Sequence, residues 1–78
     1  MITIKKANMK FEFPKDEFIT TQDTPTGMYF KFKDGTELII NAEKNAQFKT
    51  IPTMLMKSTA NNIVIDFNNP ANLISLSD

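Results

Sequence analysis

The chain predicts a small α+β domain: a twisted antiparallel β-sheet of about four or five strands, with one short helix over about residues 51–60 packed on one face. Three observations carry this expectation. Polar and apolar residues alternate in several short runs, the period of half-buried strands. Residues 41–61 lack that alternation, and Pro52 within them forbids one uninterrupted helix. Strand runs precede the helix and a single strand pattern follows it, which does not resemble repeated βαβ units. At 78 residues and 8.9 kDa, a single domain over residues 1–78 is expected.

The elements follow in order. Ile2 and Ile4 alternate with Thr3 and Lys5, and Met9, Phe11 and Phe13 alternate with Lys10 and Glu12. Ala7-Asn8 between them suits a tight hairpin only if positive φ is accepted there, which Ala resists. One long strand with a bulge is therefore the preferred reading. Pro14 stops the run, and Lys15 to Thr26 reads as the longest irregular and most mobile stretch, with a short strand at Phe18–Gln22 as the alternative.

Met28 to Asn41 carries the clearest pattern. A two-residue loop at Asp34-Gly35 would set Phe32 against Glu37 and Lys31 against Leu38, charge against core on both faces. A three-residue loop, Lys33-Asp34-Gly35, instead pairs Phe30 with Leu38 and Met28 with Ile40. On the other face it pairs Lys31 with Glu37 and Tyr29 with Ile39, both favourable across strands. That loop needs a left-handed residue at its end, where Gly35 stands.

Ile51 to Ala60 is the expected helix, with Asn41 or Thr50 as N-cap, Asn61 as a left-handed terminator, and Ile51, Met54, Leu55 and Ser58 on one stripe. A separate short turn within Ala42–Lys49 would pin Phe48 to the core. Asn62–Phe67 reads as a strand with Ile63, Ile65 and Phe67 on one face, Asn68-Asn69-Pro70 as a turn, and Leu73–Leu76 as a final short strand. The phenylalanines at 11, 13, 30, 32, 48 and 67 read as core.

Composition excludes more chemistry than it offers. The chain has no Cys, His, Trp or Arg. It therefore offers no disulfide, thiolate nucleophile, cysteine-held metal or imidazole base, and no bidentate fork for phosphate. No catalytic residue, cofactor site or metal site is expected, and the aspartates lack the spacing of a calcium loop. Nine cations balance nine carboxylates, which gives no electrostatic claim on nucleic acid or an anionic membrane. No stretch is long and apolar enough to span a bilayer, and no leader pattern opens the chain. A cytoplasmic protein is the expectation. Lysine stands for arginine throughout, and Asn and Ile are frequent. Their A/T-rich codons point to a bacteriophage or a low-GC bacterium as source.

The expected function is that of a noncatalytic protein-binding module, such as a small phage-type accessory, inhibitory or virion protein, acting through a sheet face or a strand edge. The partner-binding residues are Tyr29, Lys31, Ile39 and Val64. The register that buries Met28 and Phe30 turns Tyr29, Lys31, Glu37 and Ile39 outward, and Val64 joins them if its strand belongs to the same sheet. Tyr is a frequent interface anchor. Scattered apolar residues on a surface also occur without any partner. A weak single-stranded nucleic-acid binder is the alternative, with Tyr29, Lys31, Lys33 and Lys10 as a stacking and charge platform. A homodimer or an obligate partner complex, formed by strand addition at Met1–Lys6 or Leu73–Leu76, is expected to support so small a core.

Overall fold

The computed structural model describes residues 1–78. Its elements are β1 (Ile2–Lys6), β2 (Met9–Phe13), β3 (Phe18–Thr24), β4 (Gly27–Phe32), β5 (Glu37–Asn41), α1 (Ile51–Lys57), β6 (Asn62–Asp66) and β7 (Ile74–Ser77). The α+β class and the short helix stand as expected. The strands divide into two sheets, ordered β2-β1-β6-β7 and β3-β4-β5, where a single sheet of four or five was expected. All pairings are antiparallel except β1 with β6. The chain gathers into two compact units, one formed by Met1–Asp16 with Thr59–Asp78 and the other by Glu17–Ser58.

In the first unit, alternation sorts the four-stranded sheet into two unlike faces. Directly paired residues share a face, so Phe13, Ile2, Ile63 and Leu76 form one apolar row and Phe11, Ile4, Ile65 and Ile74 the next. Ile2, Ile4, Ile63 and Ile65, on the two central strands, are wholly buried. Each contributes about 1.5–3 kcal/mol of transfer free energy. The other face carries Glu12, Thr3, Val64 and Ser75 in one row and Lys10, Lys5 and Asp66 in another. β1 lies between β2 and β6, so Met1–Lys6 is not the sheet edge that the sequence suggested; the edges are β2 and β7.

Residues 1–13 are a hairpin, not one bulged strand. β1 and β2 pair from Ile2 with Phe13 to Lys6 with Met9, leaving Ala7-Asn8 as the loop. Ala7 accepts φ 53°, the only positive φ outside glycine. The left-handed region costs a β-carbon residue about 1–2 kcal/mol. A distant side chain offsets that cost. The Asn68 amide accepts from the Ala7 N–H at 2.7 Å and donates to the Ala7 carbonyl at 3.0 Å. Two such bonds contribute about 0.5–1.5 kcal/mol each. Asn68 is itself held by its own N–H donating to Asp66 Oδ1 at 3.0 Å.

In the second unit, the stretch expected to be irregular contains the seven-residue strand β3, longer than the Phe18–Gln22 alternative. Its alternation is hard to see because its buried residue is polar. Thr21 is 6% exposed, and its hydroxyl donates to the Tyr29 carbonyl at 2.7 Å. Phe18 stands edge-on to Phe32 with ring centroids 6.3 Å apart. Lys44 pairs with Asp23 and donates to the Thr24 carbonyl.

The β4–β5 hairpin has the expected register: Met28 with Ile40, Tyr29 with Ile39, Phe30 with Leu38, Lys31 with Glu37. The Phe32 N–H donates to the Thr36 carbonyl at 3.0 Å, and the Gly35 N–H to the Phe32 carbonyl at 3.1 Å, which closes the three-residue loop. Gly35 takes φ 92°. Asp34 Oδ1 accepts from the Thr36 N–H at 2.8 Å, which holds the Asp34 carboxyl below its usual range.

The helix is shorter than expected, and Thr50 holds its N-cap position, as expected, without a side-chain cap bond. Asn45 caps a 3₁₀ turn, Ala46–Thr50, by accepting from the Gln47 N–H at 2.9 Å. This turn runs directly into α1, where Pro52 sits in the first turn and its missing N–H costs nothing. Neither Asn41 nor Thr50 caps through its side chain; the Thr50 hydroxyl donates to the Gln47 carbonyl instead. The helix ends at Ser58, whose φ and ψ of −67° and 138° are extended, and Asn61 is not left-handed. Phe48, Ile51 and Leu55 are buried, and α1 packs against β3.

Candidate functional site

The surface of interest is the outer face of the three-stranded sheet, and alternation along β4 creates it. Met28, Phe30 and Phe32 are wholly buried, so Tyr29 and Lys31 project from the opposite side. Ile39 and Glu37 face them from β5, Gln22 and Thr20 from β3. The centre of the face is therefore the row Gln22, Tyr29, Ile39. Ile39 is 68% exposed and Tyr29 half-buried, so the helix does not cover this face.

Hydrogen-bond phase sharpens the geometry. The bonds from Phe32 N–H to Thr36 and from Ala42 N–H to Thr26 fix which β4–β5 pairs exchange bonds. By alternation, Phe30–Leu38 and Met28–Ile40 are hydrogen-bonded pairs, whereas Lys31–Glu37 and Tyr29–Ile39 are not. Side chains approach more closely in pairs of the second kind, which sets Tyr29 and Ile39 close beside each other on the outer face.

Glu37 is occupied differently from the expectation. The Tyr29 hydroxyl donates to Glu37 Oε2 at 2.5 Å along the sheet diagonal. The ion pairs present are Lys10–Glu12 at 3.6 Å and Lys44–Asp23, and Lys31 with Glu37 is not among them. A short charge-assisted bond from a stiff phenol outcompetes an exposed ion pair, which is worth about 0–1 kcal/mol and requires a long side chain to be ordered.

The bond to Glu37 raises the Tyr29 pKa, with a smaller push from desolvation and from the nearby carboxylate charge. Because the folded value lies above the unfolded one, this contribution to stability is complete below the ordinary tyrosine pKa and is lost as pH rises through the raised one. Tyr29 is the sole tyrosine and there is no tryptophan, so absorbance near 295 nm reads this group alone. The expected titration midpoint lies above that of free tyrosine, and Glu37→Gln should move it down. An unshifted midpoint in the wild type would show that the bond does not hold in solution.

Val64 does not join the patch. It lies on β6 of the four-stranded sheet, between Thr3 and Ser75, because β6 pairs with β1 and not with the hairpin. Lys10 lies on β2 of that same sheet and pairs with Glu12, so the Tyr29, Lys31, Lys33 and Lys10 platform is not assembled on one sheet. Sequence reasoning missed Gln22 and Thr20, since β3 lacks the apolar alternation that marks a strand.

The fold and face define a small α+β chain with a mixed polar and apolar sheet surface. There is no group of three or more Asp, Glu, His or Cys side chains placed to hold a metal ion, and no helix is long and apolar enough to cross a membrane. No protein-family model, curated protein or solved structure matches the chain.

Proposed function

We propose that this chain is a noncatalytic protein-binding module that engages a partner through the outer face of β3-β4-β5. Tyr29 and Ile39 form the apolar centre and Lys31 the charged flank; Val64 is left out. A small accessory, inhibitory or virion protein of phage type is the kind of molecule that fits this reading. The observation that carries it is the exposure of Ile39, 68%, directly against Tyr29 on a hairpin of fixed register. A rigid strand pair presents such anchors at little ordering cost. Single-stranded nucleic acid fits less well, because the Glu37 carboxylate at the Tyr29 hydroxyl sets negative charge where a phosphate backbone would pass.

The test is retention of partners from extracts of the source organism on this chain, immobilised. Tyr29→Ala should weaken the interaction by about 2 kcal/mol, or about 30-fold, as a buried aromatic anchor does. Val64→Ala should leave it unchanged. Binding should persist as salt is raised, since an apolar contact is little screened, whereas phosphate contacts weaken steeply. Equal retention by wild type and Tyr29→Ala would place the binding surface elsewhere, and release of nucleic acid at moderate salt would favour the stacking platform.

A further inference from the structure

We infer that the free edge of β5 pairs with the β5 edge of a second copy of this chain, antiparallel about a two-fold axis at Ile39. The hydrogen-bond phase carries the argument. Leu38 and Ile40 direct their main-chain groups to β4, so Glu37, Ile39 and Asn41 direct theirs to the open side of the sheet. An antiparallel two-fold centred on Ile39 sets it against Ile39 of the second copy, and Glu37 against Asn41 in both directions. Every one of these is a pair of the hydrogen-bonded kind, so each free N–H and C=O along the strand finds a partner.

The side chains agree with the same register. Ile39 meets its counterpart side by side on the outer face, which covers the flank of one of the most exposed large apolar groups and leaves its outward surface open. The apolar row then runs unbroken from Tyr29 through both Ile39 residues to the second Tyr29. Glu37 faces the Asn41 amide, which donates to carboxylates, and the two Glu37 side chains lie on opposite sides of the axis. No like charges face each other, a condition that strand pairing requires.

The other edges are less suited. The free groups of β2 belong to Lys10 and Glu12, charged residues of the kind that discourage pairing, and Pro14 follows the strand. β3 packs against α1, and Lys44 pairs with the side chain of Asp23, whose main-chain groups lie on that edge. On β7 the bond from Asp66 N–H to Leu73 leaves only Ile74 and Leu76 free, a shorter ladder. Self-association at β5 does not depend on the outer face binding a foreign partner. Tyr29 lies on the central strand, so Tyr29→Ala tests the partner reading and leaves the edge intact.

The experiment is analytical ultracentrifugation of the full chain across a dilution series, with far-UV circular dichroism as the check on folding. The wild type should sediment with the mass of two chains at high concentration. Ile39→Pro removes the central outward N–H without touching a bond to β4, a place where an edge strand tolerates proline. It should raise the dissociation constant about tenfold or more. Ile39→Lys, which keeps the N–H but sets two lysines at the axis, should do the same, and it serves if the proline variant is misfolded. Asn41 reads the register. Asn41→Lys, opposite Glu37 of the second copy, should tighten the dimer, and Asn41→Asp should loosen it. Amide exchange at Ile39 should slow as concentration rises. A one-chain mass for the wild type at high concentration, a two-chain mass unchanged by both Ile39 variants, or the same direction of change for both Asn41 variants would each overturn the pairing.

Discussion

Replacement of Gly27 by alanine is expected to disrupt the three-stranded sheet. A β-carbon built on Gly27 would lie 1.8 Å from the Ile40 carbonyl oxygen and 2.9 Å from the Ala42 nitrogen, both backbone atoms of the neighbouring segment. Neither can rotate away as a side-chain tip could, so β5 must shift or separate. The Ala42 N–H to Thr26 carbonyl bond, 3.0 Å long, would go with it. Alanine at a backbone position it cannot adopt costs well over ~1 kcal/mol, and this clash should reach the range above about 4 kcal/mol that single substitutions rarely enter. Gly35 is the internal control. It also has positive φ, 92°, but nothing lies within 4 Å of its would-be β-carbon. Gly35→Ala should therefore carry only conformational strain, about 1–2 kcal/mol. Urea denaturation compares the two, and equal losses would mean that β5 yields easily at Ile40.

Phe30→Ala should be as damaging by another route. Phe30 is wholly buried on the central strand of its sheet, and truncation leaves a cavity costing about 3–5 kcal/mol. Small domains have only about 5–15 kcal/mol in total, so the three-stranded unit should be largely unfolded at modest urea concentrations. Its neighbour Tyr29 gives the contrast. Tyr29→Ala loses an exposed hydrogen bond to Glu37 and the cross-strand contact with Ile39, the latter worth about 0.2–1 kcal/mol. It opens no core cavity, and its effect should fall on binding. A loss from Tyr29→Ala matching that of Phe30→Ala would mean that this face is packed in solution and is no docking surface.

These paired variants rest on a register that is legible in the local sequence. Between Met28 and Ile40 the two possible loop lengths put every side chain on opposite faces, and only one keeps Lys31 and Glu37 out of the core. Gly35 supplies the left-handed residue that this loop needs. Tyr29, Lys31 and Ile39 thus follow from local sequence as one outward face. The bond from Tyr29 to Glu37 does not, because an ion pair between Lys31 and Glu37 satisfies the same alternation.

Whatever depends on neighbours a few residues apart follows from the order of residues alone: the β4–β5 hairpin, the alternation of β1, β2 and β6, the short helix that Pro52 permits, and the burial of Phe48. Long-range packing settled the rest. Ala7 turns because Asn68, 61 residues away, satisfies its N–H and carbonyl. β6 pairs with β1 in parallel, with Ile2 beside Ile63, and this places Val64 on a different sheet from Tyr29. β3 is a strand through its pairing with β4, and its buried Thr21 is satisfied there by the Tyr29 carbonyl. In each case the local sequence leaves the outcome open, and the deciding free energy comes from a partner that only the folded chain brings into reach.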